Sequence, residues 1–241
     1  MQRLLPIVAL VFANGAFGQT VVSLRSGLLN YSQGRIQTTD STVKSPHVGI
    51  FHLRAGHNLL TNNGRVELLL APAVFLRLAE NSEVSMDNDS VGEVRVSLIK
   101  GTAIVEVVDL VKNSKIEVGV GSSVAALRHP GIYRFDAEAG EVLVYDGKMD
   151  VTRASSVVQL KKGKRLALNA DTKPQDYDRK EVDRLQRWSA RRAIALAQSN
   201  LVSARTSYGN SWRRFARPWV WSLLTNTPAA RSAPQPVPSG Y

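Results

Sequence analysis

A two-residue alternation of apolar and polar side chains persists over residues 48–168 and constrains the fold of this chain more than any other feature. It is clearest in three short runs, at 65–70, 102–107 and 115–120. Because successive side chains of a β-strand point to opposite faces, such a run places one face on a core and the other in water. The alternation therefore predicts half-buried strands rather than helices over this region.

Turn residues separate these runs and predict how the strands connect. Asn62-Asn63-Gly64 and Tyr145-Asp146-Gly147-Lys148 carry the Asn-Gly and Asp-Gly pairs typical of tight hairpins, whose central residues need positive φ. No ten-residue helical pattern interrupts the region, which disfavours a parallel βαβ architecture. We therefore predict a mainly β fold of roughly eight to eleven strands, as an antiparallel β-sandwich or a stacked β-roll.

The composition changes after the strand-rich region. Residues 177–205 contain neither Pro nor Gly and are rich in Ala, Leu, Arg and Gln, which predicts one long C-terminal α-helix of about seven turns. Asp176 or Asp178 is the expected cap of its first turn. Beyond it, residues 208–241 hold an aromatic and basic stretch and a Pro-rich tail, and we expect the tail to be disordered or polyproline-like.

The first eighteen residues have the layout of a secretory signal peptide. Arg3 supplies a short cationic start, residues 4–13 are apolar, and small residues precede a cleavage site predicted after Gly18. The alternative is a buried N-terminal helix, since the run is too short to span a bilayer, which takes about 20 residues. Export predicts a periplasmic or secreted protein.

The sequence thus divides into five segments. In chain order they are a signal peptide 1–18, an N-terminal extension 19–47, a β domain 48–170, a basic helical segment 171–207, and the stretch and tail 208–241.

Positive charge is concentrated in one part of the chain. Residues 1–152 carry 14 Lys and Arg against 15 Asp and Glu, whereas residues 153–217 carry 16 against 5. Such asymmetry predicts an anionic partner for the basic part, or else a solvated helix face. In an exported protein, nucleic acid is a poor candidate, and an acidic envelope polymer, a lipid headgroup or an acidic protein surface is a better one. The candidate residues for this contact are Lys161, Lys162, Lys164, Arg165, Arg184, Arg187 and Arg191, with Arg192 adjoining them.

Tryptophans accompany the basic residues. Trp188 is interpreted as the anchor that docks the helix on the β domain, the alternative being a residue that stacks on a ligand. The stretch 212–221 contains Trp and Arg, which suit a membrane interface; docking back onto the β domain is equally compatible with it.

The residue types that carry catalysis or metal binding are not arranged for either. His47, His52 and His57 are five apart, so a strand would turn them to alternate faces. Asp87, Asn88 and Asp89 lack the register of a calcium loop and are expected at a polar hairpin tip. Ser122-Ser123 has no glycine elbow, and the chain has no cysteine. We predict no catalytic residues, no metal, no cofactor and no enzymatic activity.

Four segments of the sequence resemble the FecR-type periplasmic domain. They are 53–68, with its Gly, Thr and terminal Glu-Leu; 98–103; 131–135; and 144–151, which resembles the closing hairpin of that family. The resemblance covers about residues 48–168. Asp176-Tyr177-Asp178 followed by 188–192 also resembles the helix that trails such domains in exported bacterial proteins.

The resemblance implies an all-β domain of stacked antiparallel strands without an active site, and hence a binding or scaffold role. The best-known FecR proteins control a sigma factor through a cytoplasmic segment and a membrane helix, neither of which is recognisable here. The leading hypothesis is therefore an exported, non-enzymatic protein that contacts another cell-envelope component. The alternatives are a FecR-type signalling regulator acting by protein–protein contacts and an envelope glycan or peptidoglycan hydrolase.

Overall fold

Sixteen strands and then one helix follow one another along the part of the chain that the computed structural model describes, which is residues 26–39, 47–90, 92–154, 156–178 and 180–204. For residues 199–204 only the backbone is described. The elements are β1 Leu28–Gln33, β2 Ile36–Thr38, β3 Asn58–Thr61, β4 Arg65–Ala71, β5 Val74–Leu78, β6 Glu83–Ser90, β7 Glu93–Lys100, β8 Thr102–Val107, β9 Lys115–Val120, β10 Ser123–Ala126, β11 Gly131–Asp136, β12 Glu141–Asp146, β13 Lys148–Arg153, β14 Ser156–Lys161, β15 Lys164–Ala167, β16 Gln175–Asp176 and α1 Arg184–Ala204.

The strands form two eight-stranded sheets that pack face to face. Sheet A has the order β1-β4-β5-β8-β11-β12-β15-β16, and sheet B the order β14-β13-β10-β9-β7-β6-β3-β2. The apolar positions of the alternating runs meet between the sheets in one buried core. Its members include Leu68, Leu76, Val105, Phe135 and Val144 from sheet A, and Val84, Val96, Val118, Val151 and Leu160 from sheet B. The predicted fold class, mainly β with a C-terminal helix, is confirmed.

Turns that the sequence predicts as hairpins instead carry the chain from one sheet to the other. β12 lies in sheet A and β13 in sheet B, so the turn at Asp146-Gly147 is a crossing, and the resemblance to a closing hairpin at 144–151 was wrong in this respect. Gly147 has φ +88°, and a Cβ there would lie 2.5 Å from the Pro130 carbonyl oxygen. Only glycine fits so close an approach. Asn62-Asn63-Gly64 joins β3 to β4 in the same way.

Crossing between sheets also produces a parallel pair within a predicted antiparallel fold. β7 and β9 pair in parallel, from Glu93 opposite Lys115 to Leu98 opposite Val120. Between them the chain crosses to sheet A as β8 and then returns, so both strands run in the same direction. The other strand pairings among the described residues are antiparallel.

The predicted number of strands and two predicted boundaries were wrong. The strand count of sixteen exceeds eight to eleven: β1, β2 and β16 lie outside residues 48–168, and β3, β10 and β15 have only four residues each, which leaves little room for a visible alternation. The β body begins before residue 48: β1 pairs with β4, and Leu29 is fully buried in the core. The helix begins at Arg184 rather than near Tyr177, since Gln175–Asp176 forms β16 against β15.

Predictions for both ends of the chain lie outside the described residues. These are the signal peptide 1–18, the stretch 212–221 and the disordered tail. Within the described part, no helix is both long enough and apolar enough to cross a membrane.

Candidate functional site

Three charged side chains on the outer face of sheet A form the base of the candidate site. Glu67 on β4 lies directly opposite Arg77 on β5, and Glu106 on β8 lies diagonally across from it. The Arg77 side chain is 0% exposed. Its Nε donates to Glu67 Oε2 at 2.7 Å, and its Nη1 donates to Glu106 Oε2 at 2.6 Å. The apolar neighbours of each residue point into the core, which turns all three charges outward, under the helix.

Helix α1 covers these charges and adds hydrogen-bond partners to them. Nη1 of Arg77 also donates to Ser189 Oγ at 2.9 Å, and Arg192 Nη2 donates to Glu67 Oε1 at 2.8 Å. Asn30 Nδ2 donates to the same Glu67 oxygen at 2.7 Å. Two carboxylates therefore face two guanidinium groups. We call Glu67, Arg77, Glu106 and Arg192 the buried ion cluster.

An aromatic and aliphatic contact lies beside the buried ion cluster. Trp188 is 5% exposed and packs with Leu185 of the helix against Ile104 and Ile132 of sheet A. Tyr31 borders it, with ring centroids 6.3 Å apart, and Arg192 lies 4.0 Å from the centroid of the Tyr31 ring. The helix is therefore held on the sheet by apolar contact and by ion pairing together.

The start of the helix is fixed to the sheet by one aspartate. Asp183 Oδ1 accepts the backbone N–H of Gln186 at 2.7 Å, which makes Asp183 the N-cap. Its Oδ2 forms an ion pair with Arg134 of β11. Asp178, one of the two predicted caps, instead accepts the Lys180 backbone N–H of a preceding turn at 2.9 Å.

Contacts within the buried ion cluster shift the pKa values of Glu67 and Arg77. Burial alone would raise the pKa of Glu67, but the positive charge of Arg77 and the hydrogen bonds from Arg192 and Arg77 outweigh it and lower that pKa. Burial alone would lower the pKa of Arg77, but Glu106 and Glu67 outweigh it and raise that pKa. Both groups therefore stay charged at neutral pH.

The lowered pKa of Glu67 predicts that acid destabilises the protein. In the folded state Glu67 binds its proton at a lower pH than in the unfolded chain, where the pKa is about 4.3. Its stabilising contribution is complete above that value and is lost as pH falls through the folded-state pKa. The free energy of unfolding, measured by urea titration between pH 6 and pH 3, should fall in this window. Glu67→Gln should flatten the fall, whereas Glu93→Gln, in an exposed pair with Lys115, should flatten it less. Equal slopes for Glu67→Gln and the unsubstituted chain would contradict the assignment.

The outer face of the helix presents three arginines in one row. Arg184, Arg187 and Arg191 are exposed and fall within about 60° of one another at 100° per residue. None of the three forms an ion pair with a carboxylate among the described residues. Arg192, one position further, is turned by 100° towards the sheet and belongs to the buried ion cluster instead. We call Arg184, Arg187 and Arg191 the arginine row.

The basic residues of β14, β15 and the turn between them are in a different electrostatic situation. Lys162 lies 3.1 Å from Asp146, Lys164 lies 3.0 Å from Asp176, and Arg165 lies 4.0 Å from Glu141. Lys161 is exposed at the end of β14. Neighbouring carboxylates thus compensate most of the charge of this group, which we call the strand cluster. Three of the seven candidate residues, Lys162, Lys164 and Arg165, thus have a carboxylate partner, whereas Lys161 and the arginine row have none among the described residues.

The remaining residues singled out by sequence are dispersed. No group of three or more His, Asp and Glu side chains in the described ranges is placed to hold a metal ion. Asp87, Asn88 and Asp89 lie within β6 rather than at a hairpin tip, because β6 pairs with β7 as far as Ser90. Asp87 Oδ2 accepts a hydrogen bond from Ser97 Oγ on β7 at 2.6 Å.

Comparison with known proteins gives few matches. No protein-family model matches the chain, and no curated protein matches it. The chain is similar to two crystal structures of a proposed anti-sigma factor from Parabacteroides distasonis ATCC 8503. One shares 16% identity over 55% of this chain and 62% of that chain, and the other 14% over 56% and 64%, both with a TM-score of 0.42. The chain therefore spans less than two thirds of the length of either structure.

Proposed function

We propose that this protein is a non-enzymatic, extracytoplasmic binding module that uses the outer face of helix α1 to hold an anionic component of the cell envelope. The observation that carries the proposal is the uncompensated arginine row beside a compensated strand cluster. An exposed guanidinium without a carboxylate partner is free to bind an external anion and donates two hydrogen bonds in a fixed geometry.

The docked helix gives this row a fixed position. Because Trp188 and the buried ion cluster hold one side of α1 on sheet A, the opposite side faces outward. A preorganised row loses less conformational entropy on binding than a mobile basic segment would. The export motif at residues 1–18 supports an envelope partner, either an acidic protein surface or an anionic polymer.

Charge removal at the arginine row should weaken anion binding. The triple variant Arg184→Gln/Arg187→Gln/Arg191→Gln loses three exposed contacts of up to about 1 kcal/mol each, so its affinity for poly-L-glutamate should fall roughly tenfold to hundredfold. Fluorescence anisotropy at low and moderate salt measures the affinity, which salt should also weaken. The same variant should retain less envelope material in pull-downs from envelope extract.

The matched control removes equal charge from the strand cluster. Lys162→Gln/Lys164→Gln/Arg165→Gln should reduce binding much less, because these residues already have carboxylate partners. Thermal melting of both triple variants should stay close to that of the unsubstituted chain, since the side chains are largely exposed. If the control loses binding and the arginine-row variant keeps it, the proposal is wrong.

A second candidate is a signalling regulator of the FecR type that acts through protein–protein contacts. It rests on the four segments whose sequences resemble the FecR-type domain; two of them lie at crossings between the sheets, 98–103 from β7 to β8 and 144–151 from β12 to β13. These segments thus occupy equivalent positions in the fold. Deletion of the protein in its source bacterium should alter the transcription of a sigma-factor-dependent gene set if this function holds, and unaltered transcription would exclude it.

A further inference from the structure

Strand β14 leaves one long edge of sheet B open among the described residues. At the other end of sheet B, β2 has only three residues, and β16 at one end of sheet A has two. The free side of β1 is occupied by residues 47–53, through hydrogen bonds such as Leu29 N–H to the Phe51 carbonyl at 2.8 Å. β14 extends over six residues and pairs without a bulge with β13. An open edge of this length is a template for another strand.

The backbone groups on the open side can be assigned. The Lys162 N–H donates to the Gly147 carbonyl at 3.0 Å, so Lys162 faces β13. Both backbone groups of a residue in an antiparallel pair point to the same side, and neighbouring residues alternate. Leu160 and Val158 therefore face β13, whereas Val157, Gln159 and Lys161 direct their N–H and C=O groups away from it.

The side chains along this edge suit pairing with an identical strand. Val157 is 66% exposed, Gln159 and Lys161 are exposed, and Leu160 is fully buried in the core. In other proteins, proline and charged side chains within an edge strand block its pairing with another strand. β14 has no proline and no charged residue before its last position. Its one lysine lies at the end.

We propose that two copies of this chain associate through antiparallel pairing of their β14 strands about a twofold axis at Gln159. In this register Gln159 lies opposite its own copy. Its Nε2 donates to Asp150 Oδ1 at 3.4 Å, which leaves the second N–H of the amide and its carbonyl oxygen for the copy. Val157 lies opposite Lys161 of the second copy. The two lysines are then about 13 Å apart along the strands, further than the screening length of about 10 Å at 0.1 M salt. The three outward residues of each copy pair without opposing like charges, which makes the edge self-complementary, as a twofold interface requires.

Sedimentation velocity of the full chain from about 1 to 100 µM tests the proposal. The unsubstituted chain should show a monomer–dimer equilibrium, and Gln159→Pro should weaken dimerisation at least tenfold. The Gln159 N–H faces away from β13, so proline there removes an intermolecular hydrogen bond and spares the β13 ladder. Gln159→Ala keeps that N–H and should dimerise nearly as well. Equal thermal melting of the two variants shows that both are folded.

A second measurement uses the lack of cysteine in the chain. Gln159→Cys provides a thiol next to the twofold axis, and a short bismaleimide should join two copies through it. Lys112→Cys, between β8 and β9, should give little cross-linking under the same conditions. A chain that stays monomeric at 100 µM, a dimer unaffected by Gln159→Pro, or cross-linking that is equal at both positions would overturn the proposal.

Discussion

Replacement of Arg77 by methionine is expected to lower the free energy of unfolding by about 3–5 kcal/mol, because it leaves two buried carboxylates without their shared cation. Glu67 and Glu106 both lie under the helix within 2.7 Å of the Arg77 guanidinium. Methionine fills a similar volume, so the loss reports the charge rather than a cavity. Urea denaturation followed by circular dichroism measures it.

Two variants make this result specific. Arg95→Met removes a guanidinium that is 47% exposed and lies 3.8 Å from Asp87 and from Glu117, and it should cost less than about 1 kcal/mol. The triple variant Arg77→Met/Glu67→Gln/Glu106→Gln removes the uncompensated charges and should regain part of the loss. If Arg77→Met lowers the free energy of unfolding no more than Arg95→Met does, the buried ion cluster is not a principal support of the helix.

Replacement of Trp188 by alanine is expected to release helix α1 from sheet A. Truncation of a buried tryptophan costs about 3–5 kcal/mol. Since isolated helices are marginal in water, the released segment should also unfold. Hydrogen exchange of the α1 amides should quicken by roughly two to three orders of magnitude, and trypsin should cut faster at Arg184 and Arg187.

Exchange at the sandwich core separates helix release from general unfolding. Amides of β9, such as that of Val118, should keep most of their protection in Trp188→Ala, because the core between the sheets does not include the tryptophan. Trp188→Phe retains an aromatic ring and should have a smaller effect. Equal loss of protection in α1 and β9 would show that the helix and the sandwich unfold as one unit.

Period-two alternation was enough to predict that residues 48–168 form strands, but neither their number nor the sheet to which each belongs. Gly101 and Gly147 follow strands in the same way that hairpin glycines do, and both adopt positive φ. A hairpin glycine and a crossing glycine meet the same local requirement, namely a backbone that turns. Whether the next strand pairs with the previous one depends on contacts far along the chain, such as the approach of Gly147 to Pro130.

The buried ion cluster could not be read from the alternation for a related reason. Glu67, Arg77 and Glu106 occupy the polar positions of their strands, which ordinarily face water. Here a helix covers that face. The sequence does carry two signals that this face is covered. Ile104 is a large apolar residue on the same outward face as Glu106, and Trp188 requires an apolar surface to pack against. The start of the helix was likewise missed because several aspartates upstream of Arg184 are equally good caps.

The crossings between sheets have a consequence for the order in which the protein acquires its structure. The surface under α1 is assembled from β1, β4, β5, β8 and β11, which are neighbours only after the chain has passed between the sheets several times. Folding dominated by such distant pairings is slow compared with folding of local hairpins. In a sheet A that the helix does not yet cover, Glu67, Arg77 and Glu106 would be exposed to water, so the cost of burying their charges arises only when α1 docks. We therefore expect α1 to dock after sheet A has assembled, because only the assembled sheet brings together the side chains that the helix covers.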